Sequence, residues 1–384
     1  PVNALDVVAM GRYRQVGWKV SRGAGLAQLW LSRRAEDVDV RIINTDAPDW
    51  LEQLRALPEH YTVLGGPIRV DAFRDLAASG ELARRADFAF LPGLGDAQEG
   101  RDAWRFFSSP EDQVRALASL AMDTLGVERF GVLYPDEDYG RRMGSLFARH
   151  VRGRGAALAG EASYPPGDHP QWGRSIARLL SVPDSFHEDK EAPLPPPDFG
   201  AVFLPDGWSQ AQLLLPQFFF YEADSLLVLG PELWSRGLDQ GRDVENQYFK
   251  LAVCPGAWWE DSEGALELQR LLTAEALGRA DFWVALGFDF VRFARGLDEL
   301  GPGWSAAEVN AALSGGSDTD FSMAPIRWDA SGHASQELYL FSPAGGGKAL
   351  ADPGVLAERM QRAKTRQEKR IEAYEERMAE EAAQ

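Results

Sequence analysis

From Glu128 to Gly155 the chain passes from a short apolar run, Phe130–Tyr134, through a polar break at Pro135–Asp138. It then enters a segment whose apolar residues Met143, Leu146, Phe147 and Val151 share one helical face. That order of strand, loop and helix is the unit from which parallel α/β sheets are built. The same rhythm runs through the first 125 residues. Strands are predicted at Leu5–Ala9, Val38–Asn44, Tyr61–Leu64 and Phe88–Leu91, and helices at 17–34, Trp50–Leu57, Val70–Ala78 and Glu111–Leu125. It continues with strands at Ala156–Ser163, Ala201–Leu204 and Leu226–Leu229, separated by helices at Gln171–Leu180 and Gln210–Phe219. Short strands alternating with helices imply a doubly wound parallel sheet.

Three stretches depart from the rhythm. Val182–Phe199 is rich in Pro and acidic residues without periodicity, and reads as an exposed loop. Beyond Glu260 the chain turns helical, at Gly264–Leu277, Asp281–Leu297 and Ser305–Leu313. Two strands or a hairpin are then expected, at Pro325–Trp328 and Glu337–Phe341, around a turn at Ala330–His333. The end of the chain carries Leu356, Met360, Ala363, Gln367, Ile371, Tyr374 and Met378 at spacings of three and four among alternating charges, which predicts a charged helix. Its few apolar residues would make an independent coiled coil marginal, so docking on the body or on a partner is expected.

Composition narrows the function. A chain of 384 residues favours two lobes over one. A net charge of −18 argues against nucleic acid, since phosphate binding needs clustered Lys and Arg. The lone Cys254 lies in an apolar stretch and reads as core filler; the five His show no metal-ligand spacing. No apolar run is long enough for a membrane-spanning helix. A leader, if the protein has one, would precede Pro1. Neither GxGxxG after a strand, nor GxxxxGK[ST], nor GxSxG occurs, and acid pairs such as Asp136 and Asp138 read as solvated charges. No enzyme, cofactor or metal site is therefore expected.

Several landmarks carry a resemblance. They are Met10-Gly11-Arg12-Tyr13 with Gly17 and Arg22-Gly23-Ala24; Asp46; Gly66-Pro67; the helix Gln113–Leu125; Tyr134-Pro135 leading to Asp138-Tyr139-Gly140; Ala285-Leu286-Gly287-Phe288-Asp289; and Met323–Trp328 with Asp329 and Gly332. In this order they resemble the type I periplasmic solute-binding proteins of the leucine/isoleucine/valine family. The chain is also similar, in its Gly-Pro and Tyr-Pro loops, to lipoproteins that activate penicillin-binding proteins. The resemblance implies two Rossmann-like lobes with parallel sheets joined by three crossover segments. Lobe one would be 1–126 plus 258–326, lobe two 127–257 plus 327–350, and 351–384 a charged helical tail.

In such a fold, ligands sit in an inter-lobe cleft at the carboxyl ends of the strands. The loops so placed are Gly11–Tyr13, Gly66–Arg69, Pro92–Leu94, Tyr134–Tyr139, Pro205–Trp208 and Gly230–Trp234. Candidate ligand-binding residues are Arg12, Tyr13, Arg69, Leu94, Tyr134, Tyr139, Asp206, Trp208, Glu232 and Trp234. Arg69 could grip a carboxylate bidentately or be a solvated residue at a helix start. Asp206 and Glu232 could meet a cationic group, or be a helix N-cap and a turn acid. Trp208 and Trp234 could wall a pocket or pack lobes. The family's hydroxyl-bearing clamp for an α-amino acid is missing, because neither Gly66–Val70 nor Leu91–Asp96 contains Ser or Thr.

The expected function is periplasmic binding of a small polar solute, an amino acid or related amide or organic acid, for ABC-type uptake. The alternative is a regulatory lipoprotein of the same fold that binds and activates a cell-wall synthase. A transporter permease or that synthase would be the protein partner. A membrane would be involved only through a lipid anchor.

Overall fold

The computed structural model describes residues 2–6, 14–58, 62–95, 97–183, 186, 192–239, 246–297, 304–316, 319–344 and 347–383. For 2–6, 14, 62 and 246 it describes the backbone alone. The chain divides into two compact units, 1–112 with 257–338 and 113–256 with 339–384.

The first pass through unit one lays down strands β1 (Val2–Asp6), β2 (Asp39–Ile43), β3 (Thr62–Gly65), β4 (Ala86–Ala89) and β5 (Trp104–Arg105). Helices α1 (Arg14–Ser32), α2 (Trp50–Arg55) and α3 (Val70–Ala78) connect them. The strands form an all-parallel sheet in the order β2-β1-β3-β4-β5. The expected strand Leu5–Ala9 overlaps β1 only at Leu5 and Asp6, and residues 7–9 lie outside the described residues.

In unit two, α4 (Pro110–Ala118) runs on into a π-helical turn, Ser119–Thr124. There follow β6 (Arg129–Pro135), α5 (Asp138–Gly153), β7 (Ala157–Tyr164), α6 (His169–Leu179), β8 (Ala201–Phe203), α7 (Trp208–Phe220), β9 (Leu227–Leu229), α8 (Glu232–Leu238) and β10 (Ala252–Gly256). Two elements here escaped periodicity. Helix α8 has only seven residues, too few turns to show a stripe, and every residue of β10 is buried, so its apolar run has no alternation. Cys254 lies in β10 as a buried free thiol.

The chain returns to unit one as α9 (Glu263–Ala274), α10 (Phe282–Gly296), α11 (Ala306–Ser314) and the antiparallel pair β11 (Ile326–Trp328) and β12 (Ala334–Gln336). The pair closes around the expected turn, where the Asp329 carboxylate accepts from the amides of Ser331 and His333 and Gly332 takes φ 80°. The expected second strand, Glu337–Phe341, is replaced by two strands. β12 ends at Gln336, and β13 (Tyr339–Ala344) joins unit two, antiparallel to β10 and to β14 (Gly347–Leu350). Unit two's sheet thus reads β14-β13-β10-β9-β8-β6-β7, parallel from β10 to β7. The chain ends in α12 (Pro353–Ala382).

Each unit has its own core. In unit one, Phe88, Phe106, Phe290, Phe293 and Trp328 form an aromatic cluster, with Phe293 and Trp328 stacked at 5.0 Å. In unit two, Phe147 stacks on Phe203 and meets Phe130 edge-on, joined by Leu356 and Met360 of α12. The Pro-rich stretch is less exposed than its composition suggests. Residues 184, 185 and 187–191 lie outside the described residues, but Leu194 and Phe199 are buried and the Leu194 amide donates to Glu222 at 3.0 Å. Phe199 fills the space above Gly131, where a Cβ would come within 2.7 Å of its ring. Among the described residues no helix is long and apolar enough to cross a membrane.

Candidate functional site

In unit two the carboxyl ends of β6, β7, β8 and β9 lead into loops that carry most of the candidate residues. Tyr-Pro and Asp-Tyr-Gly owe their spacing to packing. A Cβ on Gly140 would stand 2.3 Å from the Pro135 carbonyl oxygen, so only glycine lets the first turn of α5 close against the end of β6. That closure sets Tyr139 on the sheet edge. Burial raises its phenol pKa strongly, and the carboxylates of Glu232 and Asp206 raise it further while Arg236 opposes them. The Tyr139 phenol therefore lies in the field of two candidate carboxylates from two other loops.

Asp206 follows β8 and is not a helix cap. Gly207 occupies the N-cap position of α7, and Asp206 instead accepts from the Tyr164 hydroxyl at 2.5 Å and from the Gly207 amide at 2.6 Å. Tyr164, at the end of β7, is fully buried, and burial followed by the Asp206 charge raises its phenol. Glu232 opens α8 and is buried. Its amide donates to Gln113 Oε1 at 2.9 Å and its carboxylate lies 3.4 Å from Arg236. Tyr134 is half-buried, and its phenol is raised by burial and then by Glu161 and Asp136.

Trp208 and Trp234 are buried inside unit two. They meet edge-on at 5.8 Å, Trp208 packs on Phe249 at 4.8 Å, and Trp234 Nε1 donates to the Asp206 carbonyl at 2.9 Å. A Cβ on Gly230 would stand 2.1 Å from the Trp234 ring. These rings position the Asp206 loop and offer no accessible face.

In unit one, Arg69 takes the N-cap position of α3, and its Nη1 lies 2.6 Å from Asp46 Oδ1 while Nε lies 3.4 Å from Asp71. Asp46 follows β2, and its amide is held by Asn44 Oδ1 at 3.0 Å. Leu94 is buried with Phe73, Ala89, Leu91 and Ala103, a packing position rather than a wall. Arg12 and Tyr13 lie outside the described residues. Tyr164, Gln113 and Arg236 were not among the candidates: Tyr164 stands one residue past a predicted strand end, Gln113 only opened a landmark helix, and Arg236 carried no signal. Among the described residues no group of three His, Cys, Asp or Glu is placed to hold a metal ion.

The two units, one with an all-parallel sheet and one with a sheet parallel except for β13, each built by a chain that leaves and re-enters it, define a type I periplasmic-binding fold. Solved structures share it. The C-domain of LpoA from Haemophilus influenzae, a regulator of PBP1A, matches with TM-score 0.61 and 13% identity over 92% of this chain and 100% of that one. A periplasmic ligand-binding protein of a branched-chain amino acid ABC transporter from Burkholderia xenovorans matches at 0.65 and 11%, over 93% and 96%. The leucine-binding protein LivK from Thermotoga maritima matches at 0.57 and 14%, over 91% and 97%. No family model and no curated protein matches the chain.

Proposed function

We propose that the chain is a non-catalytic periplasmic protein that acts by contacting a cell-wall synthase, as a regulator with the fold of a solute receptor. One observation carries this reading. The charged and aromatic groups placed to clamp a solute are already engaged within their own units: Arg69 by Asp46, Asp206 by Tyr164 and the Gly207 amide, and both tryptophans by core packing. A solute would have to displace those bonds, each costing about 1–3 kcal/mol if left unmade. The similarity to a regulator of PBP1A supports the same reading. The test is co-sedimentation of the purified chain with a bifunctional penicillin-binding protein, together with its rate of glycan polymerisation. Binding and a faster rate are expected; neither effect, in a folded sample, counts against the reading.

Solute capture for ABC-type uptake is the second reading. The observation favouring it is the half-buried Tyr139 phenol lying in the field of two carboxylates, a place suited to an ammonium group. A thermal-shift screen of amino acids, amides and organic acids separates the two. A saturating ligand at about 100 Kd should stabilise by about 2.7 kcal/mol, and Tyr139→Ala should abolish that shift.

A further inference from the structure

Helix α12 crosses unit two at the amino ends of its strands, the edge opposite the loops described above. Leu356, Met360, Ala363 and Gln367 are buried there. Arg359 donates to the Lys250 carbonyl at 2.8 Å, Arg366 pairs with Asp224, and Arg370 pairs with Glu222 at 2.6 Å. The apolar stripe then outruns its support. Ile371 and Tyr374 are half-buried, Met378 is 42% exposed, and every residue from Glu375 to Ala383 is exposed.

The charges of α12 are divided along its length. From Pro353 to Gln367 it carries Arg359, Arg362, Lys364 and Arg366 against the single acid Glu358. From Glu368 to Ala383 it carries Glu368, Glu372, Glu375, Glu376, Glu380 and Glu381 against Lys369, Arg370 and Arg377. Beside the basic half lies a groove of about 490 Å³, floored by Leu215, Phe218 and Leu251 and edged by Lys250, Arg359, Arg362 and Arg366, with the one acid Asp224 among them. It is a cationic, apolar-floored groove on a chain whose net charge is −18. Arg362 pairs with Glu358 in a solvent-exposed ion pair, which is readily exchanged.

We infer that this groove receives the acidic end of α12 from a second copy of the chain, forming an isologous antiparallel pair of helices. The pairing meets three requirements at once. A two-fold axis near Arg370 sets the acidic half of each helix beside the basic half of the other, with Glu376 and Glu380 facing Arg366 and Arg362. The face of α12 that docks on its own unit through Met360 and Ala363 also carries Tyr374 and Met378, so the overhanging turns present those side chains to the partner's groove floor. The symmetry closes at two copies, because each groove and each acidic end is used once. Repulsion between two acidic chains acts at distance and is screened within about 10 Å at 0.1 M salt, whereas the pairing charges meet at contact.

Charge reversal tests this directly, with mass in solution read by light scattering. The wild-type chain should show twice the monomer mass at micromolar concentration. A groove variant, Arg359→Glu with Arg362→Glu, and an end variant, Glu376→Arg with Glu380→Arg, should each be monomeric. Mixed together they should recover the doubled mass, since each supplies the complement the other lacks. Met378→Glu, which removes no packing on its own unit, should also give a monomer, with an unchanged far-ultraviolet circular dichroism spectrum. A monomeric wild type, a larger assembly, or folded reversal variants whose mixture stays monomeric would each overturn the inference.

Discussion

At Asp289 a carboxyl group sits with no exposure to solvent. Its Oδ2 accepts from the amides of Ser322 and Met323 at 2.8 and 3.0 Å, and Arg292 lies 3.6 Å from Oδ1. Burial outweighs those partners and raises the carboxyl to about 6. A folded-state value above the unfolded one means that the native state holds the proton more tightly. The stability this group contributes is complete below about pH 4 and is lost as pH rises through about 6. The shift corresponds to about 3 kcal/mol. Relative to Asp289→Asn, the wild-type chain should therefore lose up to about that amount between pH 4 and pH 7. Urea midpoints of the two proteins at both pH values measure the difference, and a gap that does not move with pH refutes it. The same residue shows what the sequence could tell. The motif Ala285–Asp289 is visible as a family landmark, but its role is structural: Asp289 ties the 322–323 turn to α10. That Tyr139, Asp206 and Glu232 follow strand ends was legible, because strand ends follow from periodicity. The pairing of Arg69 with Asp46 was not, because Asp46 lies 23 residues away on another loop.

Among the elements, the crossing of α1 and α10 depends on two glycines. A Cβ on Gly23 would stand 2.0 Å from the Val284 carbonyl oxygen, and one on Gly287 would stand 2.0 Å from that of Val20. The helices meet backbone to backbone, and the neighbouring atoms have no flexible end to yield. Gly287→Ala should destabilise unit one by about 1–3 kcal/mol or more despite alanine's better helix propensity, read as a lower urea midpoint. A wild-type midpoint would show that the helices can part without cost. Along α12 the burial of the stripe falls off from Leu356 to Met378. Leu356→Ala should cost about 2–5 kcal/mol, since the side chain is buried in unit two's core. Met378→Ala should change chain stability by no more than about 0.5 kcal/mol. Long periodic helices such as α5 and α12 were legible for this reason. β10 and α8 were not, because uniform burial and short length erase the alternation that periodicity needs.

For the molecule as a whole, the alternation of strands and helices announced the fold class, but no composition shift marks where the chain changes units. The first change falls at Asp112 and Gln113, inside α4, and the third at Leu338 and Tyr339, two residues past β12. The first follows Ser108-Ser109-Pro110 closely, but that run opens α4 and reads as a helix start, and the third, within Gln336–Phe341, has no Pro, Gly or Ser beside it. What separates the units physically is the cores: unit one closes around Phe88, Phe290 and Trp328, unit two around Phe130, Phe147, Phe203 and Met360, and no residue belongs to both clusters. Cores that share no side chain need not melt together. Calorimetry should accordingly resolve two transitions. Gly287→Ala should lower one of them and Leu356→Ala the other, each leaving its counterpart within experimental error. A single transition lowered equally by both substitutions would mean that the three chain crossings couple the units into one cooperative body, and the independence argued from their cores would be wrong.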